Sequence, residues 1–156
     1  MVTTILVYSL TGNTAIVAQA LAERLGAGVA NLVAPKVKAT PLAVLRLGYA
    51  TLFGGKTPVQ LQGPDPTRAD LLILAAPVWA GRLSVPMRTW LAGHPALPRR
   101  VALVMTGGNP APSTTALADF AARAGVTPLA TLYLSEARIK TGDFAADCAS
   151  FCQRLA

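Results

Sequence analysis

The sequence predicts an α/β protein: one doubly wound, parallel sheet with helices on both faces, forming a single domain over residues 1–156. Three observations predict it. Short apolar runs alternate with helix-like segments along the whole chain, which is the pattern of repeated strand–helix–strand units with right-handed crossovers. The run Asp70-Leu71-Leu72-Ile73-Leu74-Ala75-Ala76 is apolar on both sides of its pleat, as a central strand covered by helices must be. Finally, 156 residues with 53% hydrophobic content and a mean hydropathy of +0.47 supply one sizeable core. No run reaches the ~18 uninterrupted apolar residues of a membrane span, so no membrane insertion is expected.

Taken in order, residues 4–8 read as the first strand, and a helix follows from Ala15 to Leu25 with Ile16, Val17, Ala20, Leu21 and Leu25 at helical spacing on its sheet-facing side. Gly26-Ala27-Gly28 stops that helix, and residues 28–33 form the second strand. Between Pro35 and Thr67 the pattern is less regular: Pro41 opens a helix over 42–52 that ends at Phe53-Gly54-Gly55, and 56–70, with three prolines, reads as a loop. The third strand, 70–76, runs into a loop, Pro77-Val78-Trp79-Ala80-Gly81-Arg82. Ser84 then caps a helix that has Pro86 in its first turn and continues through Trp90 and Leu91. A fourth strand, 100–106, leads into the loop 107–113, and a helix runs to Ala124 with Gly125 as terminator. Residues 126–134 read as the fifth strand and 143–155 as the last helix.

The stretch between the first strand and first helix, Ser9-Leu10-Thr11-Gly12-Asn13-Thr14, is where chemistry is expected. The first N–H groups of a helix are unpaired and its dipole favours negative charge. Ser9, Thr11 and Thr14 add hydroxyl donors, and Gly12 lets backbone approach a ligand without an intervening Cβ. Three hydroxyls and a glycine in six residues exceed what a helix cap needs. Lacking a lysine, the loop is not a nucleoside-triphosphate loop, and lacking G-x-G-x-x-G it is not a dinucleotide fingerprint. A single phosphate monoester held by neutral donors fits the residues.

Ser-x-Thr-Gly-Asn-Thr after a first strand resembles the phosphate loop of the flavodoxin family, whose ligand is FMN. The resemblance implies a flavodoxin-like five-stranded parallel sheet in the order 2-1-3-4-5, with the ligand beyond the carboxyl ends of the strands at the switch point between strands one and three. Three loops would converge there: 9–14, 77–82 and 107–113. Ala76-Pro77-Val78-Trp79-Ala80-Gly81-Arg82 resembles the family's first flavin-flanking loop, which implies cofactor contacts from Pro77, Val78, Trp79, Ala80, Gly81 and Arg82, with Trp79 against the ring. From the fourth strand, Thr106, Gly107, Gly108 and Asn109 are expected to reach the flavin edge. Residues 107–113 contain no aromatic, unlike electron-carrier flavodoxins, so one flavin face is left open unless a tyrosine from elsewhere, such as Tyr49, fills the gap. None of the three loops holds a carboxylate and Arg82 adds a positive charge, which implies a flavin less strongly reducing than in acidic flavodoxins.

The function expected from the resemblance is that of an FMN-binding flavoprotein: an oxidoreductase or electron-transport protein passing electrons between protein partners. Two rivals are an NAD(P)H-dependent flavin or quinone reductase, and a flavodoxin-like interaction domain without flavin. No residue is singled out as catalytic, and a monomer or homodimer is expected. Other chemistries are disfavoured. The only histidine, His94, lies in a Gly-His-Pro turn, so no metal site is expected. Cys148 and Cys152 are one helical turn apart and read as buried apolar residues. The net charge of +7 comes from scattered basic residues, not a stripe interleaved with aromatics, so nucleic acid is not the expected partner. With no basic segment and cleavage site at its start, the chain is expected to be cytoplasmic.

Overall fold

The computed structural model describes residues 1–43, 45–46 and 55–156. The strands are β1 (Thr3–Val7), β2 (Gly28–Val33), β3 (Gln60–Gln62), β4 (Leu71–Trp79), β5 (Arg82–Leu83), β6 (Arg100–Gly107) and β7 (Thr131–Ser135). The helices are α1 (Asn13–Leu25), α2 (Val85–Ala92), α3 (Thr114–Ala124), α4 (Glu136–Thr141) and α5 (Ala145–Arg154). Residues 41–43 and 45–46 are also helical. The rest of the helix expected over 42–52, with Leu47, Tyr49, Leu52 and Phe53, lies outside the described residues.

The alternation of the strands separates two cores. Ile5 and Val7 of β1, Leu71, Ile73 and Ala75 of β4, and Ala102 and Val104 of β6 face α1, α4 and α5. Their pleat neighbours Leu6, Leu72, Leu74, Ala76, Val101, Leu103 and Met105 face α2 and α3, where Met87, Leu91 and Phe120 cover them. Burial on both faces is why these strands read as continuous apolar runs. The parallel strands β2-β1-β4-β6-β7 keep the expected 2-1-3-4-5 order, so the carboxyl ends of β1, β4 and β6 lie side by side.

Several elements differ from the sequence reading. Among the described residues the sheet has seven strands, not five: β3 pairs antiparallel with β2 at the edge, and β5 pairs antiparallel with β4. β3 was hidden in a proline-rich stretch because three residues with polar ends carry no period. Its exit is fixed at Gly63, with φ +113° and backbone so close that a Cβ would stand 2.8 Å from the Val29 carbonyl oxygen. β7, at the edge of the sheet, begins at Thr131, not 126, and Pro128 in the segment before it has no N–H to give to a ladder. The last helix, expected over 143–155, is α5; the segment before it, assigned to no element, forms the short helix α4, which stops at Gly142 with φ +74°. In α1 the buried face is Thr14, Val17, Ala18, Leu21 and Ala22, while Ile16, expected inside, is exposed. Ser84 precedes α2 but its side chain makes no capping bond; its hydroxyl is buried without a partner.

Candidate functional site

The loop 9–14 is organised by Ser9. Its Oγ accepts the Gly12 N–H at 3.1 Å and the Ala15 N–H at 3.2 Å, which draws the chain around a single point at the start of α1. A hydroxyl that accepts two bonds still has its own proton to donate. Gly12 holds φ +96°, and a Cβ there would meet nothing within 4 Å, so the loop's mouth is open on that side. The helix starts at Asn13 and its first intrahelical bond is Ile16 N–H to Gly12 O, at 3.1 Å. That leaves the N–H groups of Asn13 and Thr14 without an intrahelical partner.

The hydroxyls do not all face outward. Thr11 is exposed, with Asn13 Nδ2 donating to its Oγ1 at 3.4 Å. Thr14, expected to donate to a ligand, is buried, and its Oγ1 shares a 2.8 Å hydrogen bond with Thr106 Oγ1. The pair fastens the start of α1 to the end of β6. Leu10 packs against the core on the α2–α3 face, so the loop presents backbone and small polar groups while its apolar side chain anchors it.

Residues 77–82, expected as a loop, form a hairpin. β4 continues through Pro77, Val78 and Trp79, and turns at Ala80 and Gly81 into β5. Both turn residues have positive φ, 49° and 76°, as the primed two-residue turns require because their twist matches that of the strands. Trp79 pairs with Arg82 across the hairpin. Its half-buried indole meets Tyr8 edge-on, ring centroids 5.8 Å apart and planes at 86°. Tyr8 was not singled out from the sequence; burial pushes its hydroxyl up to about 12. The signal was its position, since Tyr8 ends the apolar run directly before Ser9.

The end of β6 closes the arrangement. Gly107 is buried because Tyr133 of β7 lies against it: a Cβ on Gly107 would stand 2.9 Å from the Tyr133 hydroxyl oxygen. Tyr133 Oη donates to the Asn109 carbonyl at 2.5 Å. An aromatic therefore does stand beside this loop, supplied by β7 and missed in the sequence because it is remote in the chain. Gly108 is exposed with nothing within 4 Å of its Cβ position. Ser113 Oγ caps α3 through the Ala116 N–H and donates to the Gly81 carbonyl at 2.9 Å, tying the hairpin to the loop. Between them lies a cavity of about 110 Å³ lined by Val78, Ala80, Gly107, Gly108, Asn109 and Tyr133, among others. That is room for the edge of a planar ring, not for a wholly enclosed one.

Among the described residues no group of three or more His, Cys, Asp or Glu side chains could hold a metal. Cys148 and Cys152 are free, and burial raises both thiols, in keeping with the apolar reading. No helix of the described residues is long and apolar enough to cross a membrane.

No family model matches the sequence, and no curated protein matches it. Solved structures do. A flavoprotein from Lactobacillus acidophilus, in complex with FMN, has a TM-score of 0.73 at 20% identity, over 90% of this chain and 97% of its own. Trp repressor binding protein from Bacillus subtilis has a TM-score of 0.58 at 15% identity, over 100% and 99%. A flavodoxin, WrbA-like protein from Agrobacterium tumefaciens has a TM-score of 0.51 at 14% identity, over 99% of each chain. The fold is thus flavodoxin-like, as the sequence implied.

Proposed function

We propose that this chain binds FMN at the carboxyl ends of β1, β4 and β6 and uses it in redox chemistry. The observation that carries the reading is the convergence of an anion-accepting helix start, an aromatic hairpin and a glycine-rich strand end at one switch point. For the phosphate, the N–H groups of Asn13 and Thr14, the Thr11 hydroxyl and the remaining Ser9 proton are neutral donors, suited to one phosphate monoester. For the ring, Tyr133 and the backbone of 107–109 line a cavity that admits a ring edge, and the half-buried Trp79 indole of the adjoining hairpin offers a flat apolar face. The likeness to an FMN-bound flavoprotein supports the same ligand.

When bound, FMN supplies one- and two-electron transfer; the protein binds, orients and tunes it. Tyr8 holds the Trp79 indole by its edge, and the Ser113–Gly81 bond fixes the hairpin relative to the loop at β6. Arg82, across from Trp79, is the charged residue of the three loops, and a positive charge there favours added electrons.

Two uses of the flavin remain: electron exchange with protein partners, and reduction by NAD(P)H with transfer to a quinone or similar acceptor. Hydride transfer needs an unshielded ring face, and although 107–113 hold no aromatic, Tyr133 of β7 lines the cavity beside them, so that loop alone does not favour the second use. Arg138 is held within its own helical region: it pairs with Asp147 at 2.6 Å and donates to the Asp143 carbonyl. Anaerobic stopped-flow mixing of the FMN complex with NADPH or NADH separates the two uses: bleaching within seconds marks the reductase, and none over minutes leaves the electron carrier.

A further inference from the structure

A second cavity, of about 470 Å³, opens between the segment that follows β2 and the start of α2. Lys36, Lys38, Arg46 and Lys56 line it together with Thr40 and Val85, and no carboxylate is among its described lining residues. The four cations make no ion pair with any described residue, whereas Arg68, Arg88, Arg123 and Arg138 each face an aspartate. Thr40 Oγ1 accepts the Ala43 N–H at 3.2 Å and keeps its own proton to donate.

The cavity lies at the end of the sheet that carries the three loops. Lys36 and Lys38 follow the carboxyl end of β2, and Val85 comes two residues after the return strand of the Trp79 hairpin. Val37, between the two lysines, packs on the same buried cluster as Leu10 of the phosphate loop and Trp79. We propose that this cleft binds the adenosine-phosphate end of NADPH. Four unpaired cations in a concave site call for a ligand with several negative charges, and a pyrophosphate with a 2′-phosphate carries about four, each phosphate monoester contributing ~1.5–2. Its volume is that of a small-molecule site, ~300–1,000 Å³. An acidic protein partner would instead be met by a broad surface of more than ~1,000 Å². The inference rests on the redox reading above and names the electron donor for it.

The test is calorimetric titration of the full chain, flavin-free and FMN-loaded, with 2′,5′-ADP, with 5′-AMP and with a glutamate-rich peptide. 2′,5′-ADP is expected to bind both forms, 5′-AMP more weakly, and the double variant Lys36→Ser/Lys56→Ser to weaken 2′,5′-ADP by roughly tenfold or more while FMN affinity is unchanged. Failure of 2′,5′-ADP to bind a protein that takes FMN overturns this inference and leaves the flavin reading intact. So does binding that the double variant does not alter, or capture of the acidic peptide alone. Binding of 2′,5′-ADP to a protein that refuses FMN would refute the flavin reading and sustain the nucleotide site.

Discussion

The loop at the start of α1 and the hairpin at the end of β4 meet at the carboxyl end of the sheet but are built by opposite means. The loop is shaped by local hydrogen bonds: Ser9 Oγ gathers the Gly12 and Ala15 N–H groups within the seven residues 9–15. The hairpin is shaped by distant ones: Trp79 rests on Tyr8, and the Gly81 carbonyl is held by Ser113. A site for a charged group can therefore be written in a short stretch of sequence, because helix geometry supplies the donors. A site for a flat ring needs walls brought from several strands. The first should answer to changes in ligand charge, the second to changes in ring contact.

The largest effect expected is at the loop. Gly12→Asp places a carboxylate in the open mouth; a side chain at φ +96° strains the backbone, so retained riboflavin binding is also the check that the variant folds. FMN binding should weaken by ~2–4 kcal/mol through charge repulsion and lost donors, while riboflavin, which lacks the phosphate, binds as before. Parallel titrations of the two flavins check it, and equal losses would erase the distinction between the two regions.

Tyr8 joins the two regions and gives a pH signature. Its folded pKa, about 12, lies above its ordinary 10.0, so the folded state holds the proton more tightly. The stabilisation is complete below pH 10 and is lost as pH rises toward 12, by ~2–3 kcal/mol in total. Denaturant midpoints measured across that window should fall in the parent and fall less in Tyr8→Phe.

Trp79→Ala should weaken FMN and riboflavin alike and cost ~1–2 kcal/mol of stability through the lost contact with Tyr8. Flavin fluorescence, quenched by the indole in the parent complex, should recover in the variant. A parent complex as bright as free FMN would place the indole wholly in the core. The smallest change is Ala80→Gly, which relieves a non-glycine residue at φ 49°. The gain should be at most ~1 kcal/mol, since glycine's greater unfolded-state freedom offsets part of it. Thermal denaturation checks the sign.

What the sequence made legible follows the same division. The parallel strands could be read because burial on both faces leaves unbroken apolar runs, as in Leu71 to Ala76. The turn at 9–14 could be read because the residues that shape it are contiguous. The hairpin could not: Pro77 and the Ala80-Gly81 turn look like loop residues, yet β4 continues to Trp79 by pairing with two residues of β5. The inward turn of Thr14 depends on Thr106, far away in the chain. The four basic residues of the second cleft looked scattered because they are distributed over the irregular connection after β2 and gather only in space.

The central claim is that the loop reads a phosphate and the adjoining walls a flavin ring. The most direct measurement is titration of purified, flavin-free protein with FMN and with riboflavin under identical conditions, followed by flavin fluorescence. Saturable, stoichiometric binding of both is expected, with FMN tighter by roughly tenfold or more through its phosphate. Equal affinities, or no binding of either, would contradict it.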